Sequence, residues 1–168
     1  MNVAYAIKTR KSIRQYQPTP VEEEKLKIVL EAARLSPSAR NDQNWHFVVV
    51  RDEAVKDLVY EAAFQQPWVK EAPVAIVACA TDSRLMNCGA PTDAVNLSIA
   101  MSYMILQAHE LGLGTCWLGH FDADKVKEAL SIPKDFTVIG VTPLGYPAHN
   151  PEARPRKELS EIISYDKY

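Results

Sequence analysis

The sequence predicts an α+β domain, and two observations carry that expectation. Apolar residues recur at helical spacing in some segments and form short unbroken β-runs in others. No repeat, linker or low-complexity segment divides the 168 residues, so a single domain spanning 1–168 is the simplest organisation. A hydrophobic content of 47% beside 24% charged residues suits a globular chain able to bury a core.

The elements follow in chain order. Residues 2–9 read as a short helix leading into a basic segment. Thr19-Pro20-Val21-Glu22 has the form of a capping box with proline at the first helical position. Leu26, Val29, Leu30 and Ala33 then recur at helical spacing, and Pro37 closes that helix. Phe47–Val50 reads as a strand, 53–63 as a helix and Pro73–Ala80 as a fully apolar strand. Residues 93–111 make the longest helix, and its apolar positions run around most of the circumference. Such a helix needs cover on more than one side, and a second subunit would supply it.

Gly112-Leu113-Gly114 ends that helix, and Thr115–Leu118 resumes as strand. Phe121 and Val126 flank Asp122 as a hydrophobic staple around an N-cap, which sets a helix over 123–131 before Pro133. Phe136–Leu144 is a further strand. The tail from Pro147 to Arg156 is proline-rich and polar, so it should run extended over a surface. Glu161–Tyr165 is expected as a final strand.

Two segments read poorly as scaffold. Thr9-Arg10-Lys11-Ser12-Ile13-Arg14 places three cations and two hydroxyls within six residues, which suits an anion with several oxygens. Ser36-Pro37-Ser38-Ala39-Arg40-Asn41-Asp42-Gln43-Asn44-Trp45-His46-Phe47 offers small residues, amides and hydroxyls where a helix gives way to a strand. A phosphate at one end of a ligand and a heteroaromatic ring at the other would use both, which points to a nucleotide-like cofactor. A second basic cluster, Arg154, Arg156 and Lys157, lies near the other end of the chain.

Other chemistries are disfavoured. The net charge of -2 speaks against nucleic acid or a membrane surface as a partner. Cys79, Cys88 and Cys116 form no C-x-x-C pair, and the start of the chain lacks a signal-peptide profile. No apolar stretch is long enough to span a bilayer, so a reducing cytoplasm is the expected compartment. Position 117 is Trp, and a helix precedes Gly112-Leu113-Gly114 rather than following it, which rejects a dinucleotide fingerprint. His46, His109, His120 and His149 have no metal-site spacing, and neither a P-loop nor a nucleophile elbow occurs. An enzyme built from this chain would take its chemistry from a bound cofactor.

Five motifs then stand in register: Arg10-Lys11-Ser12-x-Arg14, Pro37-Ser38-Ala39-Arg40-Asn41-x-Gln43-x-Trp45-x-Phe47, Gln66 before Ala72-Pro73, Gly112–Gly119, and Arg154-Pro155-Arg156-Lys157. With them the chain resembles a short member of the FMN-dependent nitroreductase family, from residue 7 to about 163. The resemblance implies a mainly antiparallel central sheet flanked by helices. It also implies a homodimer with FMN at the subunit interface and C-terminal strand exchange.

Carried over residue by residue, it implies that Arg10 and Ser12, with the adjoining Lys11, hold the FMN phosphate while Arg154 and Arg156 close on it. Arg14 would lie at the flavin N1/O2 edge and tune the ring, and Gln65 or Gln66 would bond the pyrimidine edge. Backbone groups of Leu118, Gly119 and His120 would approach N5 and O4. Pro37, Ser38, Ala39 and Asn41 would come from the other subunit.

The implied activity is an NAD(P)H-dependent ping-pong cycle. Hydride passes through flavin N5, and a nitroaromatic, a quinone or a related small molecule accepts the electrons. Enone reduction, dehalogenation or flavin binding without turnover are the alternatives. No metal and no side chain acting as nucleophile or proton carrier is implied. Departures are Asn44 where relatives commonly have proline, Gly119-His120 where longer members have Glu-Gly, and the lack of the insertions that cover the flavin in those members.

Overall fold

A computed structural model describes residues 2–168. Its centre is a four-stranded sheet of β1 (Trp45–Val50), β2 (Val74–Ala80), β3 (Gly114–Thr115) and β4 (Thr137–Gly145), in the order β1-β2-β4-β3. All three pairings are antiparallel, with Val48 opposite Val77 and Val77 opposite Val141. Every residue of β2 is buried, as a strand covered on both faces requires.

Among the described residues six α-helices supply the cover: α1 (Val3–Thr9), α2 (Glu23–Arg34), α3 (Glu53–Ala62), α4 (Pro67–Glu71), α5 (Thr92–Glu110) and α6 (Ala123–Leu130). Val59, Val69 and Val126 from α3, α4 and α6 join Val77 and Val141 in one apolar cluster. Leu26 and Val29 of α2 and Met104 of α5 meet Ile76 and Leu144 in another. Burying each such side chain stabilises the fold by about 1.5–3 kcal/mol.

Local chemistry sets several helix ends. The Asn2 side chain accepts the Tyr5 N–H at 2.8 Å, and Asp52 accepts that of Val55 at 3.0 Å. Asp122 takes the N–H groups of Asp124 and Lys125, both at 3.1 Å. Phe121 and Val126 share one apolar cluster around that cap, in keeping with the expected staple. Ser131 then turns into the left-handed region at φ 53, and Pro133 follows.

Three expectations need correction, and one element is added. The Thr19–Glu22 capping box does not form. Helix α2 begins at Glu23, and its N-cap residue Glu22 makes no side-chain cap bond. The Glu22 carboxylate instead accepts the Tyr146 hydroxyl at 2.7 and 2.8 Å and pairs with Lys25 at 3.4 Å. The strand expected over 115–118 is only Gly114–Thr115, with Leu118 returning as an isolated bridge to Val141. Helix α4 is an addition that its proline at the first turn signals.

Lastly, Glu161–Tyr165 forms no strand within this chain. The tail carries one 3-10 turn at Leu159–Glu161, and Leu159, Ile162 and Tyr165 stay 64–84% exposed. A strand needs an edge to pair with. Among the described residues the outer edge of β1 is unpaired, and the tail does not reach it.

The all-round apolar character of α5 has a structural counterpart. Leu97, Ala100, Met101, Met104 and Ala108 are buried, whereas Ile99, Ile105 and Leu106 are half-covered and Tyr103 is exposed. Val3 and Ile7 of α1 join Tyr103 and Leu106 around an open apolar groove of about 650 Å³. Among the described residues no helix is long and apolar enough to cross a membrane.

Candidate functional site

The basic segment is fixed through its backbone, which leaves its cationic side chains available. Arg10 caps α1, its N–H on the Ala6 carbonyl at 3.0 Å. Ser12 bridges Thr115 in parallel, and the Ile13 N–H donates to the Thr115 carbonyl at 2.8 Å. A Cβ on Gly114 would lie 2.6 Å from Ile13 Cγ1, so the close approach of these strands requires glycine. The Tyr16 hydroxyl donates to the Ile13 carbonyl at 2.8 Å. Beyond it, the Gln17 N–H donates to Tyr146 at 2.8 Å and the Ala148 N–H to Gln15 at 3.0 Å.

These pairings draw the tail beside the basic segment, where Lys11 Nζ donates to Asn150 Oδ1 at 3.0 Å. The two basic ends of the chain therefore meet. Lys8, Arg10, Lys11, Arg14, Arg154 and Arg156 line one cavity of about 570 Å³ with Ser12, and Glu152 is its single carboxylate. Among the described residues, Arg10, Lys11, Arg14, Arg154 and Arg156 form no ion pair. Six cations against one acid repel one another, and an anionic group with several oxygens would relieve that repulsion.

A second group of candidates gathers around α4. The Arg14 guanidinium lies 5.6 Å from the ring centroid of Trp68, whose indole N–H is buried without a partner among the described residues. Gln65 is engaged with Glu61 at 3.0 Å. Gln66, half-buried before α4, makes no side-chain hydrogen bond among the described residues. Phe64 and Gln65 both adopt left-handed backbone, at φ 51 and 56.

The 118–120 segment meets these residues through a 4.5 Å ring contact between Phe64 and His120. The Leu118 N–H and carbonyl both bond Val141, at 2.8 and 3.0 Å. The exposed Gly119 and His120 are thus left to offer N–H groups, which have no partner among the described residues.

Pro37, Ser38, Ala39 and Asn41 lie elsewhere. Their loop turns sharply, with Arg40, Asn41 and Gln43 at φ 53, 59 and 49. A relay of amides holds it: Ala39 N–H to Asn96 Oδ1 at 2.9 Å, Asn96 Nδ2 to Asn44 Oδ1 at 2.7 Å, and Asn44 Nδ2 to the Asp82 carbonyl at 2.8 Å. Asn44 and Asn96 are buried, and Asp42 pairs with Arg84 outside them. Sequence reasoning missed this relay, and it supplies the physical reason for Asn44. The signal that was available is an asparagine inside an otherwise apolar helix.

Asn96 sits near the start of α5. The Thr9 hydroxyl contacts His109 Nε2 at 2.8 Å near the helix end. Thirteen residues of helix separate the two anchors, roughly 20 Å of rise. Within one chain, then, the 37–41 loop and the basic cavity stand at opposite ends of α5.

Electrostatics follow burial. Desolvation pushes the Tyr16 phenol far above its usual value and raises Cys116, which Arg14 partly offsets. Burial pushes the Cys79 thiol up to about 11. Burial first, then Arg10 and Lys11, holds His109 below the ordinary imidazole value.

The chain matches the family model described as the nitroreductase family over residues 7–83 and 59–146. It is 40% identical over 158 residues to a candidate NADH dehydrogenase/NAD(P)H nitroreductase of Methanothermobacter thermautotrophicus, covering 92% of this chain and 82% of that protein. A crystal structure of a nitroreductase family protein from Clostridium difficile 630 superposes with a TM-score of 0.89 at 32% identity, covering 100% of both chains. An FMN-dependent nitroreductase from Clostridium difficile R20291 superposes with a TM-score of 0.84 at 30% identity, covering 97% of this chain and 98% of that one.

Proposed function

The chain belongs to the nitroreductase family, and from that premise we propose that it is an FMN-dependent NAD(P)H oxidoreductase acting as a homodimer on small-molecule acceptors. The observation that carries the reading is the cavity where Lys8, Arg10, Lys11, Arg14, Arg154 and Arg156 converge around Ser12. Its donor set fits a phosphate monoester. Arg10, Lys11, Ser12, Arg154 and Arg156 hold that phosphate, each charge-assisted hydrogen bond contributing about 1.5–3 kcal/mol.

FMN, when bound, supplies the hydride chemistry between the nicotinamide and the acceptor. The protein orients and tunes it. Arg14 provides a fixed cation where the reduced ring gathers negative charge, and Gln66 offers both its amide groups to the pyrimidine edge, with Gln65 held back by Glu61. Gly119 and His120 present backbone N–H groups. Pro37, Ser38, Ala39 and Asn41 serve the flavin bound by the second subunit, which is what their distance from this chain's own cavity supports.

The test is to titrate apoprotein with FMN and with riboflavin, and then to assay NADH and NADPH against menadione, nitrofurazone and oxygen. FMN should bind at least tenfold more tightly than riboflavin, because only FMN carries the phosphate. A protein that takes up no FMN would remove this reading.

A further inference from the structure

We propose that Phe64, in tilted ring contact with His120, is a specificity-determining residue that selects flat aromatic acceptors. The inference rests on the flavin reading of this site and adds to it a residue absent from the set read in the sequence.

Phe64 is an unusual side chain in its position. It stands just past the end of α3, at φ 51, where glycine would relax the backbone, and Gln65 follows at φ 56. Hydrogen bonds hold the turn: Phe64 N–H to Glu61, Gln65 N–H to Tyr60 and Gln66 N–H to Ala63, at 3.2, 3.0 and 3.3 Å. The helix needs no phenyl ring for its own packing, because Val59, Ala62 and Ala63 already fill the core beneath it. Yet the residue is 51% exposed. An apolar residue held exposed in a strained turn calls for a role outside the core.

Among the described residues its ring neighbour is His120, at 4.5 Å between centroids and tilted by 34°. The two segments that carry these rings are tied together by the Asp122 N–H on the Ala62 carbonyl at 2.8 Å. Phe64 directly precedes Gln65 and Gln66, and His120 directly follows Gly119. The rings thus bridge the two segments assigned to the reactive edge of the flavin, and their exposed surfaces offer a planar molecule an apolar stacking face there. A quinone or a nitroarene fits that face. A small octahedral acceptor such as ferricyanide has no ring to place on it.

The experiment compares the flavin-loaded wild type with Phe64→Leu and Phe64→Tyr. In Phe64→Leu, kcat/KM for menadione and nitrofurazone should fall about two- to tenfold further than for ferricyanide, mainly through KM, and Phe64→Tyr should restore it. An activity-independent readout is equilibrium binding of 1-naphthol, a ring these proteins do not reduce. Its dissociation constant should rise by the same factor in Phe64→Leu, and in the wild type it should shift the His120 ring-proton resonances.

Equal losses for ferricyanide and the ring acceptors, indifference of both to the substitution, or separation of the subunits in Phe64→Leu would each overturn the inference. A wild type that carries no FMN overturns the flavin reading itself. A flavin-loaded wild type with an indifferent Phe64 overturns this inference alone.

Discussion

Asn44 and Asn96 meet side chain to side chain at 2.7 Å inside the domain, although 52 residues separate them in the chain. One precedes β1 and the other lies in α5, so the bond fastens the 36–43 loop to the longest helix. The loop has three residues in the left-handed region, none of them glycine. Each is strained, and the relay is what over-determines them. A loop held this way can present Ser38, Ala39 and Asn41 in one conformation.

Asn96→Ala should therefore lower stability by about 1–3 kcal/mol, because it strands Asn44 Oδ1 and the Ala39 N–H. It should also speed amide exchange at Ala39 relative to residues of β2. Denaturant unfolding gives the first quantity and hydrogen exchange the second. An Ala39 amide as protected as in the wild type would show that the loop does not depend on the relay.

Arg10→Ala and Arg156→Ala should each raise the FMN dissociation constant roughly ten- to a hundredfold while leaving the fold intact. Neither side chain makes an ion pair among the described residues, so little native structure is lost with it. Titration of apoprotein beside a thermal melt separates the two effects. Unchanged affinity in both variants would take these arginines out of the site.

Much of this fold was legible because it rests on local pattern. The unbroken run Val74–Ala80 announced a strand covered on both faces, and α5 announced its need for cover on more than one side. What was not legible depends on contacts between distant residues. Tyr146 draws the Glu22 carboxylate away from Thr19 across 124 residues, and no local rule foresees that. Helix α4 is five residues long, too short to display a period. The strand expected at 161–165 has no edge to join within its own chain. For the candidate site, both basic clusters were visible in the sequence. Their meeting in one cavity needed the pairing of residues 12–17 with Thr115 and residues 146–148.

The pH dependence of folding should carry a signature of His109. Its imidazole is held below the ordinary value, so just below pH 6.5 the folded state binds fewer protons than the unfolded one. Stability contributed by the neutral ring is full above that pH and declines as pH falls toward the folded-state pKa. Subtracting the unfolding curves of His109→Gln from those of the wild type, between pH 5 and 7.5, should isolate this slope. A phosphate bound beside Arg10 and Lys11 would offset their charge, so FMN should move the His109 resonance titration upward. A titration at the ordinary value in the apoprotein would exclude the linkage.

Sedimentation at low micromolar concentration should find a dimer. The half-covered face of α5, the groove beside Val3 and Ile7, and the exposed Leu159, Ile162 and Tyr165 leave open apolar surface of the kind that a second subunit covers. Removing residues 150–168 should lower stability and release FMN together, since the arm carries those apolar residues as well as Arg154 and Arg156. A truncated chain that stays folded as a monomer and retains flavin would overturn the interface reading.

Arg14 offers the sharpest test of how the ring is tuned. Its guanidinium is exposed and rests over Trp68, a contact contributing only about 0.5–1 kcal/mol at such a site. Arg14→Gln should thus cost little stability. If the cation lies beside the edge where the reduced ring becomes negative, its loss withdraws a few kcal/mol of stabilisation from the reduced form alone. For a two-electron couple about 1.4 kcal/mol corresponds to 30 mV, so the midpoint potential should fall by tens of millivolts. Reduction by NAD(P)H should slow accordingly, with FMN still bound. A redox titration against a reference dye, wild type beside variant, measures the shift. An unchanged potential with FMN retained would mean that the tuning belongs to the N–H groups of Gly119 and His120, which have no other partner among the described residues.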